Sequence, residues 1–359
     1  MKKTTLLIPV AGSSKRFPNT KPKWLLTHPK GYPMIVGCLK QLNLQNVDEI
    51  NIISLKEVLD KYECRNSLLK QFEENFPGKV VRFVELNEKT NSQSETVFEC
   101  LRQLNITGSF YVKDSDNSFV DTPSVLNGIA YAKLREHNLK NLGNKSYISF
   151  FDKEQVSHIV EKQINSSNFC IGGYSFESAL EFQHYYNQIK HLEKDGEIYI
   201  SHVIHKMLLD KKSFKGIYSK EFNDWGTLED WNAYKNKHLT LFVDIDGTLI
   251  ENTSEILAPK WGSGKALTNN INVINKLFNT GKCQIILTTA RKVNYKNSTI
   301  DELRIKQINY HQIIFDLFHC KRVIINDFSD TNPYPSCVSI NLERDSDCLE
   351  KILNSVIEQ

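Results

Sequence analysis

The chain has 359 residues, of which 40% are hydrophobic and 24% charged, and its formal net charge is +3. This length and composition favour a soluble globular protein of two domains, each able to bury a core without disulfides. The small net charge gives no reason to expect nucleic acid or an anionic membrane surface as a partner, and no apolar run reaches the ~18–20 residues that cross a bilayer.

Apolar, β-rich runs alternate with helical patterns in the first part of the chain. Strands are predicted at residues 5–11, 49–55, 79–86 and 109–114. Between the last two, Val97, Leu101 and Leu104 recur at the spacing of one helix face, which predicts a helix over residues 93–104. The alternation predicts a mostly parallel, doubly wound α/β sheet.

The same alternation starts again at residues 239–250 and indicates a second, smaller α/β unit. It continues with a helix near 267–279, strands at 284–289 and 322–327, and a closing helix near 345–357. Only residues 234–238 separate the two patterns. We therefore predict one domain over residues 1–236 and another over residues 238–359.

The N-terminus and the cysteines bear on the cellular location. The apolar stretch at residues 6–11 follows two lysines but is shorter than the ~7–15 residues of a signal-peptide core. None of the eight cysteines belongs to a CxxC pair, and no set of histidines matches them for zinc. We therefore expect a cytoplasmic protein whose thiols are reduced.

A loop of small and basic residues, AGSSKRF at 11–17, follows the first predicted strand. Gly12 would let backbone N–H groups approach a phosphate closely. Arg16 adds a permanent positive charge that suits a leaving pyrophosphate, and Lys23, held next to Pro22, suits a phosphate under attack. Taken alone, so short a motif is more often an ordinary surface loop than a phosphate site.

Two aspartates occupy positions typical of a magnesium site, and a third lies before a turn. Asp114 and Asp116 follow a predicted strand, at the sheet edge where open α/β sheets bind ligands. Asp224 precedes a Gly-Thr turn. Mg²⁺ prefers one or two carboxylates together with substrate phosphates. Each position by itself is also explained by a solvated acidic turn or by the start of a capped helix.

In this order, the three segments resemble the sugar nucleotidyltransferases of the GT-A type. That family opens with Ala-Ala-Gly-x-Gly-x-Arg followed by Pro-Lys, and the matching residues are Ala11, Gly12, Arg16, Pro22 and Lys23. The sequence departs from the signature at Val10 and Ser14. The resemblance covers about residues 1–236 and implies a Rossmann-like α/β domain.

The resemblance also implies roles for individual residues. It implies Mg²⁺ on Asp116 and Asp224, with Asp114 as a neighbouring ligand, and catalytic charges at Arg16 and Lys23. The residues implied to bind the nucleotide are Ala11, Gly12, Ser13, Ser14, Gln93 and Ser94. The stretches 161–162 and 170–176 are similar to the family's acceptor-binding segment, which implies Lys162 at the acceptor phosphate and Gly172 near the body of the acceptor.

FVDIDGTLI, at residues 242–250, is the most specific motif in the chain. Asp244 and Asp246 end an apolar strand, and Gly247-Thr248 turns the chain. The motif resembles the haloacid-dehalogenase-type (HAD) phosphatases and implies a small capless HAD-like α/β domain. In that family the first aspartate attacks phosphorus, the second acts as general acid and base, and Mg²⁺ assists; here these roles, including metal binding, fall on Asp244 and Asp246.

Three further positions complete the HAD resemblance. Thr-Ala-Arg favours Thr289 over its neighbour Thr288 as the family's hydroxyl residue. Asp327, at the end of the next predicted strand, is the implied acidic metal ligand. Lys321 is the nearest candidate for the lysine that contacts the phosphate.

Together the two resemblances imply a bifunctional enzyme. The first domain would transfer a nucleotidyl group, with CMP from CTP favoured, to a phosphorylated sugar or polyol and release pyrophosphate. The second would hydrolyse a phosphomonoester through an aspartyl-phosphate, and the product would be a precursor of a surface or capsular polysaccharide. Self-association into a homo-oligomer is left open.

Two other interpretations are open. The first domain could be a GT-A glycosyltransferase that binds a nucleotide sugar; Arg16 and Lys23 argue against it, since such an enzyme has no pyrophosphate to hold. The HAD-like domain could be a non-catalytic docking or dimerisation module; the intact pair Asp244 and Asp246 argues against that.

Overall fold

The computed structural model describes residues 3–12, 16–137, 139, 141–191, 197–253, 263–327 and 337–357, with side chains to residue 355. The predicted ligand contacts of Ser13 and Ser14 lie outside the described residues. The chain divides into two compact units, Met1–Lys235 and Asn236–Gln359. Across the described part of the chain, no helix is both long and apolar enough to cross a membrane.

A mixed sheet forms the centre of the first unit. The strands of this unit are β1 (Thr4–Pro9), β2 (Val47–Leu55), β3 (Val80–Leu86), β4 (Phe110–Lys113), β5 (Asn117–Phe119), β6 (Gly128–Lys133), β7 (Ser146–Phe150), β8 (Val156–Glu161), β9 (Asn168–Phe176), β10 (Lys215–Tyr218) and β11 (Phe222–Asp224). The sheet has the order β10-β6-β9-β4-β1-β2-β3, and β7 pairs with β8 and β9. The strands β5 and β11 form a separate antiparallel ribbon.

The direction of the strands changes across this sheet. Strand β1 runs parallel to β2 and β4, and β2 runs parallel to β3. Strand β9 runs antiparallel to β4, β6 and β7. The predicted parallel arrangement is therefore confirmed for β1 to β4 and for β10 beside β6, and it is wrong for the neighbours of β9 and for the pair β7 and β8. There the strands β7 and β8 follow each other closely without an intervening helix, and such short connections produce antiparallel pairs.

Helices cover both faces of the sheet. They are α1 (Met34–Gly37), α2 (Lys56–Lys61), α3 (Arg65–Asn75), α4 (Gln93–Gln103), α5 (Ala179–Ile189), α6 (Ile200–Leu209) and α7 (Leu228–Lys235). The predicted helix at 93–104 is confirmed by α4. It begins after Ser92, whose hydroxyl accepts the N–H of Glu95 at 3.1 Å and satisfies one of the unpaired donors of the first turn.

Strand β1 shows how the core is built. Leu6 and Ile8 pack in one apolar cluster together with residues of α1 and α3. Leu7, which points to the opposite face, packs in another with residues of α4, α5 and α6. All three side chains are fully buried, and each such burial contributes roughly 1.5–3 kcal/mol. A strand that is buried on both faces has a continuous apolar sequence, and β1 has this pattern.

The same packing positions the polar residues that follow the strands. Strands β1 and β4 are parallel neighbours, with Leu7 opposite Val112. The loop after β1 and the aspartates after β4 consequently leave the sheet at one edge.

A three-stranded parallel sheet forms the second unit, in the order β12-β13-β14. Its elements are β12 (Leu239–Asp244), α8 (Thr268–Asn279), β13 (Cys283–Thr288), α9 (Lys296–Ile305), β14 (Gln312–Ile314) and α10 (Leu349–Ile357). Its core contains Val243, Ile274, Leu287, Leu303 and Leu353.

The strand predicted at residues 322–327 is wrong. These residues have no regular secondary structure, and Val323 and Ile325 are 74% and 92% exposed. An apolar run becomes a strand only where a neighbour satisfies its backbone N–H and C=O groups. Here β13 is paired with the short strand β14 instead.

Asn270, at the start of α8, links the turn at residues 246–248 to residues 346–349 by hydrogen bonds. The residue is fully buried. Its amide nitrogen donates to the carbonyls of Thr248 and Ser346, both at 2.8 Å, and its side-chain oxygen accepts the N–H of Leu349 at 2.9 Å. A single side chain thus satisfies three backbone groups that would otherwise be buried without partners.

Candidate active sites

The first unit contains a cavity of about 590 Å³ at the sheet edge where β1 and β4 end. This volume is in the range of small-molecule sites, roughly 300–1,000 Å³. The predicted site residues that line it are Gly12, Arg16, Lys23, Gln93, Asp114, Asp116, Lys162, Gly172 and Asp224. Residues from widely separated parts of the sequence therefore line one cavity.

Asp116 lies between two cations. Its carboxylate forms an ion pair with the ammonium of Lys23, and the guanidinium of Arg16 lies 3.7 Å away. Burial acts to raise the pKa of Asp116, but Lys23 and Arg16 outweigh it, so the pKa lies well below its usual value. Asp116 is therefore ionised at neutral pH.

Asp224 lines the same cavity as Asp116. It belongs to the antiparallel ribbon, where it lies opposite Asn117. One of its carboxylate oxygens pairs with the ammonium of Lys145, and the other accepts the N–H of Gly226 at 3.0 Å. The next residue, Trp225, donates its N–H to the carbonyl of Asp116 at 2.8 Å. That bond holds the two aspartate segments side by side.

The two carboxylates converge on Gly226. A Cβ atom at this position would lie 3.0 Å from Oδ1 of Asp224, 3.4 Å from Nη1 of Arg16 and 3.6 Å from Oδ2 of Asp116. Two carboxylates and a guanidinium therefore meet here, and the carboxylates are of the kind that Mg²⁺ takes, an ion that binds one or two protein carboxylates and completes its shell with water and phosphate. The described residues contain no cluster of three or more acidic, histidine or cysteine side chains that would form a metal cage.

Asp114 forms a different part of the cavity wall. Gln93 donates to its Oδ1 at 2.5 Å, and a Cβ atom on Gly172 would lie only 2.2 Å from its Oδ2. Gly172 also has a φ of +82°, which glycine adopts without strain. Burial, followed by the charge of Asp116, raises the pKa of Asp114. Asp114 thus depends on Gln93 and Gly172 for its position.

Lys113 hydrogen-bonds the backbone of the segment that carries Asp114 and Asp116. It belongs to none of the sequence motifs. Its side chain is fully buried, and its ammonium donates to the carbonyls of Asp114 at 2.7 Å and Asn117 at 3.0 Å. It also lies 4.5 Å from the ring centroid of Phe119. Burial lowers the pKa of Lys113. A lysine at the end of an apolar strand is the one signal that could have identified it.

Lys162 and Glu161 lie on the cavity wall away from β1. The ammonium of Lys162 contacts the hydroxyl of Tyr199 and lies 4.3 Å from that ring's centroid. The Tyr199 hydroxyl donates to Glu197 at 2.8 Å. Glu161 accepts the hydroxyls of Ser146 and Ser201 on one carboxylate oxygen. This wall offers charged and hydroxyl groups to a polar ligand.

Two predicted nucleotide contacts do not line the cavity. Ser94 is fully buried and its hydroxyl donates to the carbonyl of Ile198 at 2.5 Å, a bond that supports α4, and its contact with a nucleotide stays a prediction. Ala11 is 1% exposed and packs in the core beneath the loop.

In the second unit, Asp244 ends β12 and lies opposite Thr288 of β13. Arg322 bridges the pair: its two terminal nitrogens lie 2.9 Å from Oδ1 of Asp244 and 3.1 Å from the hydroxyl of Thr288. Burial raises the pKa of Asp244, and the guanidinium of Arg322 partly offsets the shift.

Asp246 is held by a buried arginine. Nε and one terminal nitrogen of Arg291 donate to its two carboxylate oxygens, at 2.9 and 2.6 Å. The other terminal nitrogen of Arg291 donates to Glu302 at 2.8 Å. The hydroxyl of Thr289 lies 3.4 Å from Asp246. Thr289 therefore faces the second aspartate, whereas Thr288 faces the first.

Two predictions for this unit meet a different local arrangement. Lys321 is exposed, and the cation beside Asp244 is its neighbour Arg322. Among the described residues Asp244, Asp246 and Asp327 are not gathered in one cluster: both oxygens of Asp246 bond Arg291, and Asp327 ends an exposed, irregular segment, so their role as metal ligands stays a prediction. The strand that would have placed Asp327 beside β12 does not form.

The first unit has the fold of nucleotidyltransferases. One similar solved structure is a nucleoside-diphosphate-sugar pyrophosphorylase from Vibrio cholerae RC9, at 19% identity and a TM-score of 0.53, over 64% of this chain and 99% of that one. Another is a UDP-glucose pyrophosphorylase complexed with UDP-glucose, at 16% identity and a TM-score of 0.50, over 65% and 97%. A third is the inositol-1-phosphate CTP transferase from T. maritima, at 13% identity and a TM-score of 0.50, over 66% and 95%.

These similarities concern the fold alone. The covered share corresponds to the length of the unit Met1–Lys235. No protein-family model matches the chain, and no curated protein matches it either.

Proposed function

We propose that the first unit is a Mg²⁺-dependent nucleotidyltransferase that joins a nucleoside monophosphate to a phosphorylated acceptor and releases pyrophosphate. The observation that carries the proposal is the convergence of Asp116 and Asp224 on Gly226, with Arg16 and Lys23 beside them. The fold of the unit and the volume of its cavity are consistent with it.

The chemistry follows from these charges. Asp116 and Asp224 would hold Mg²⁺, which neutralises charge on the reacting phosphates. Lys23 and Arg16 would stabilise the α-phosphate and the leaving pyrophosphate. An oxygen of the acceptor phosphate attacks the α-phosphorus in line, so the protein contributes mainly by positioning and by charge. Lys162 would hold the acceptor phosphate.

We further propose CTP as the nucleotide and a sugar or polyol phosphate as the acceptor. The support is the motif resemblance, together with a similar structure that is named an inositol-1-phosphate CTP transferase. Glu161, Ser146 and Ser201 supply the kind of acceptors and donors that recognise hydroxyl groups. A place in surface or capsular polysaccharide synthesis follows from the resemblance alone.

The test is pyrophosphate release from four nucleoside triphosphates against a panel of sugar and polyol phosphates, with and without Mg²⁺. Asp116→Asn keeps the shape of the side chain and removes its charge, and it should lower turnover by about 100-fold or more. Asp48→Asn, which removes an exposed carboxylate far along the sequence from the site, is the matched control. Consumption of a nucleotide sugar without pyrophosphate release would instead favour a glycosyltransferase.

We propose a second activity, phosphomonoester hydrolysis, for the unit Asn236–Gln359. Asp244 would attack phosphorus while Arg322 and Thr288 hold the phosphate oxygens. Asp246, oriented by Arg291, would protonate the leaving oxygen and later activate water. Because both oxygens of Asp246 bond Arg291, the proposal assigns roles to side chains only.

The second activity is tested with p-nitrophenyl phosphate and the full chain. Asp244→Asn should abolish hydrolysis and leave pyrophosphate release nearly intact. A wild-type chain that hydrolyses no phosphomonoester would favour the docking-module interpretation. Loss of both activities in Asp244→Asn would contradict the independence of the two sites.

A further inference from the structure

Lys145 is a cation of the first cavity that the sequence motifs do not include. It precedes β7, lines the cavity and pairs with Oδ2 of Asp224. Both side chains are largely buried, at 19% and 17% exposure. The backbone carbonyl of Lys145 accepts the N–H of Lys162 at 3.0 Å, so the two lysines are fixed on adjacent backbone.

The Lys145–Asp224 pair resembles a second pair in the cavity, in which Lys23 contacts Asp116. The remaining oxygen of Asp224 accepts the N–H of Gly226. A divalent cation entering between the carboxylates must therefore compete with an ammonium for each of them.

We propose that Lys145 is the counter-ion of Asp224 until Mg²⁺ displaces it, and that the released ammonium then binds the acceptor phosphate. The proposal rests on the proposed nucleotidyl transfer. An ammonium on a four-carbon stem can change partners by rotation about side-chain bonds, whereas its backbone stays beside Lys162. Asp224 thus remains charge-balanced before the metal binds, and a phosphate receives the cation afterwards.

If Lys145 changes partner from Asp224 to phosphate, one substitution should change the metal affinity and the phosphate affinity in opposite directions. Lys145→Met removes the competitor for Asp224, so the metal should bind more tightly. It also removes a cation from the acceptor side, so phosphate should bind less tightly. A residue that only supports the fold would not change the two affinities in opposite directions.

The first measurement is Mn²⁺ binding to the full chain without nucleotide, followed by electron paramagnetic resonance of the free ion. Lys145→Met should bind Mn²⁺ ~10-fold more tightly than the wild type, since it lacks a charged hydrogen bond that the metal must otherwise break. Lys145→Arg keeps the charge and should stay near the wild type. Lys89→Met removes a charge from an exposed lysine of the same cavity, for which the described structure records no ion pair, and should change the affinity little.

The second measurement is calorimetric titration of inorganic phosphate at saturating Mn²⁺, where Lys145→Met should bind ~10-fold more weakly. Thermal unfolding verifies that the variants fold. If Lys145→Met does not fold, Lys145→Gln takes its place. Unchanged Mn²⁺ affinity, equal tightening in Lys89→Met, or unchanged phosphate affinity would overturn the role of Lys145. A wild-type chain that binds no Mn²⁺, or binds it equally after Asp224→Asn, would instead overturn the proposed metal site.

Discussion

Arg291 bonds both carboxylate oxygens of Asp246 and, through its remaining terminal nitrogen, Glu302. Arg291 is 1% exposed and Glu302 is 2% exposed. One guanidinium therefore bridges two carboxylates in the second unit, and Lys306 pairs with Glu302 as well, at 3.5 Å. Because the guanidinium donates from a rigid, planar fork, it also sets the orientation of Asp246.

Removal of Arg291 should leave these carboxylates without their shared cation. Arg291→Met is expected to lower the free energy of unfolding of the second unit by about 3–5 kcal/mol. The control is Arg304→Met, whose arginine forms an exposed pair with Asp301 on α9 and should cost at most about 1 kcal/mol. Urea unfolding of the full chain, with hydrogen exchange in β13 to identify the unit, measures both. Equal losses in the two variants would contradict a special role for Arg291.

Asp244 should show a conflict between function and stability. Its pKa is raised in the folded state by burial, so its ionised form costs stability at pH values above the folded pKa. That cost fades as the pH falls through the folded pKa and is absent below the unfolded value of about 3.9. Asp244→Asn should therefore abolish hydrolysis yet raise the thermal unfolding midpoint at pH 7, with a smaller gain near pH 3.5. The exposed substitution Asp301→Asn is the control, and a lower midpoint for Asp244→Asn at pH 7 would refute the argument.

Gly172 and Gly78 allow backbone strain to be separated from steric conflict. Their φ angles are +82° and +78°, but a Cβ on Gly172 would lie 2.2 Å from Asp114, whereas none of the neighbouring atoms lies within 4 Å of a Cβ on Gly78. Gly78→Ala should cost about 1–2 kcal/mol of stability and leave pyrophosphate release unchanged. Gly172→Ala should cost more and lower release sharply, because Asp114 must move. Similar release rates in the two variants would show that the position of Asp114 does not matter.

Gly226→Ala should weaken metal binding without unfolding the protein. Its Cβ would occupy the space between the carboxylates, 3.0 Å from Asp224. We expect the Mg²⁺ concentration for half-maximal pyrophosphate release to rise by about tenfold or more. Gly108→Ala, where a Cβ would meet nothing within 4 Å, is the control. An unchanged Mg²⁺ requirement would place the metal elsewhere.

The sequence was most informative where local pattern and tertiary structure agree. Strands β1 and β4 are largely apolar runs buried on both faces, and the residues after them carry much of the site, so Asp116 and Lys23 could be predicted. The run at 322–327 is equally apolar, but whether it pairs depends on a neighbour that no local pattern specifies. The strand β14, of only three residues, gave too short a signal to be recognised.

The residues that prediction missed are lone cations. Lys145, Arg291 and Arg322 lie 79, 45 and 78 residues from the aspartates that they contact. None belongs to a motif that calls for it as a partner of a particular carboxylate. Their roles arise from pairing across the fold, which a single sequence does not specify.

Asn270 carries an implication for sequence tolerance. Its amide group donates to two backbone carbonyls and accepts one backbone N–H, on two separate stretches of chain. Aspartate has the shape without the donors, leucine has neither donors nor acceptor, and glutamine is one methylene too long for a fully buried position. In a saturation library scored for phosphate hydrolysis, position 270 should accept as few replacements as Asp244 itself, although it would never touch a substrate.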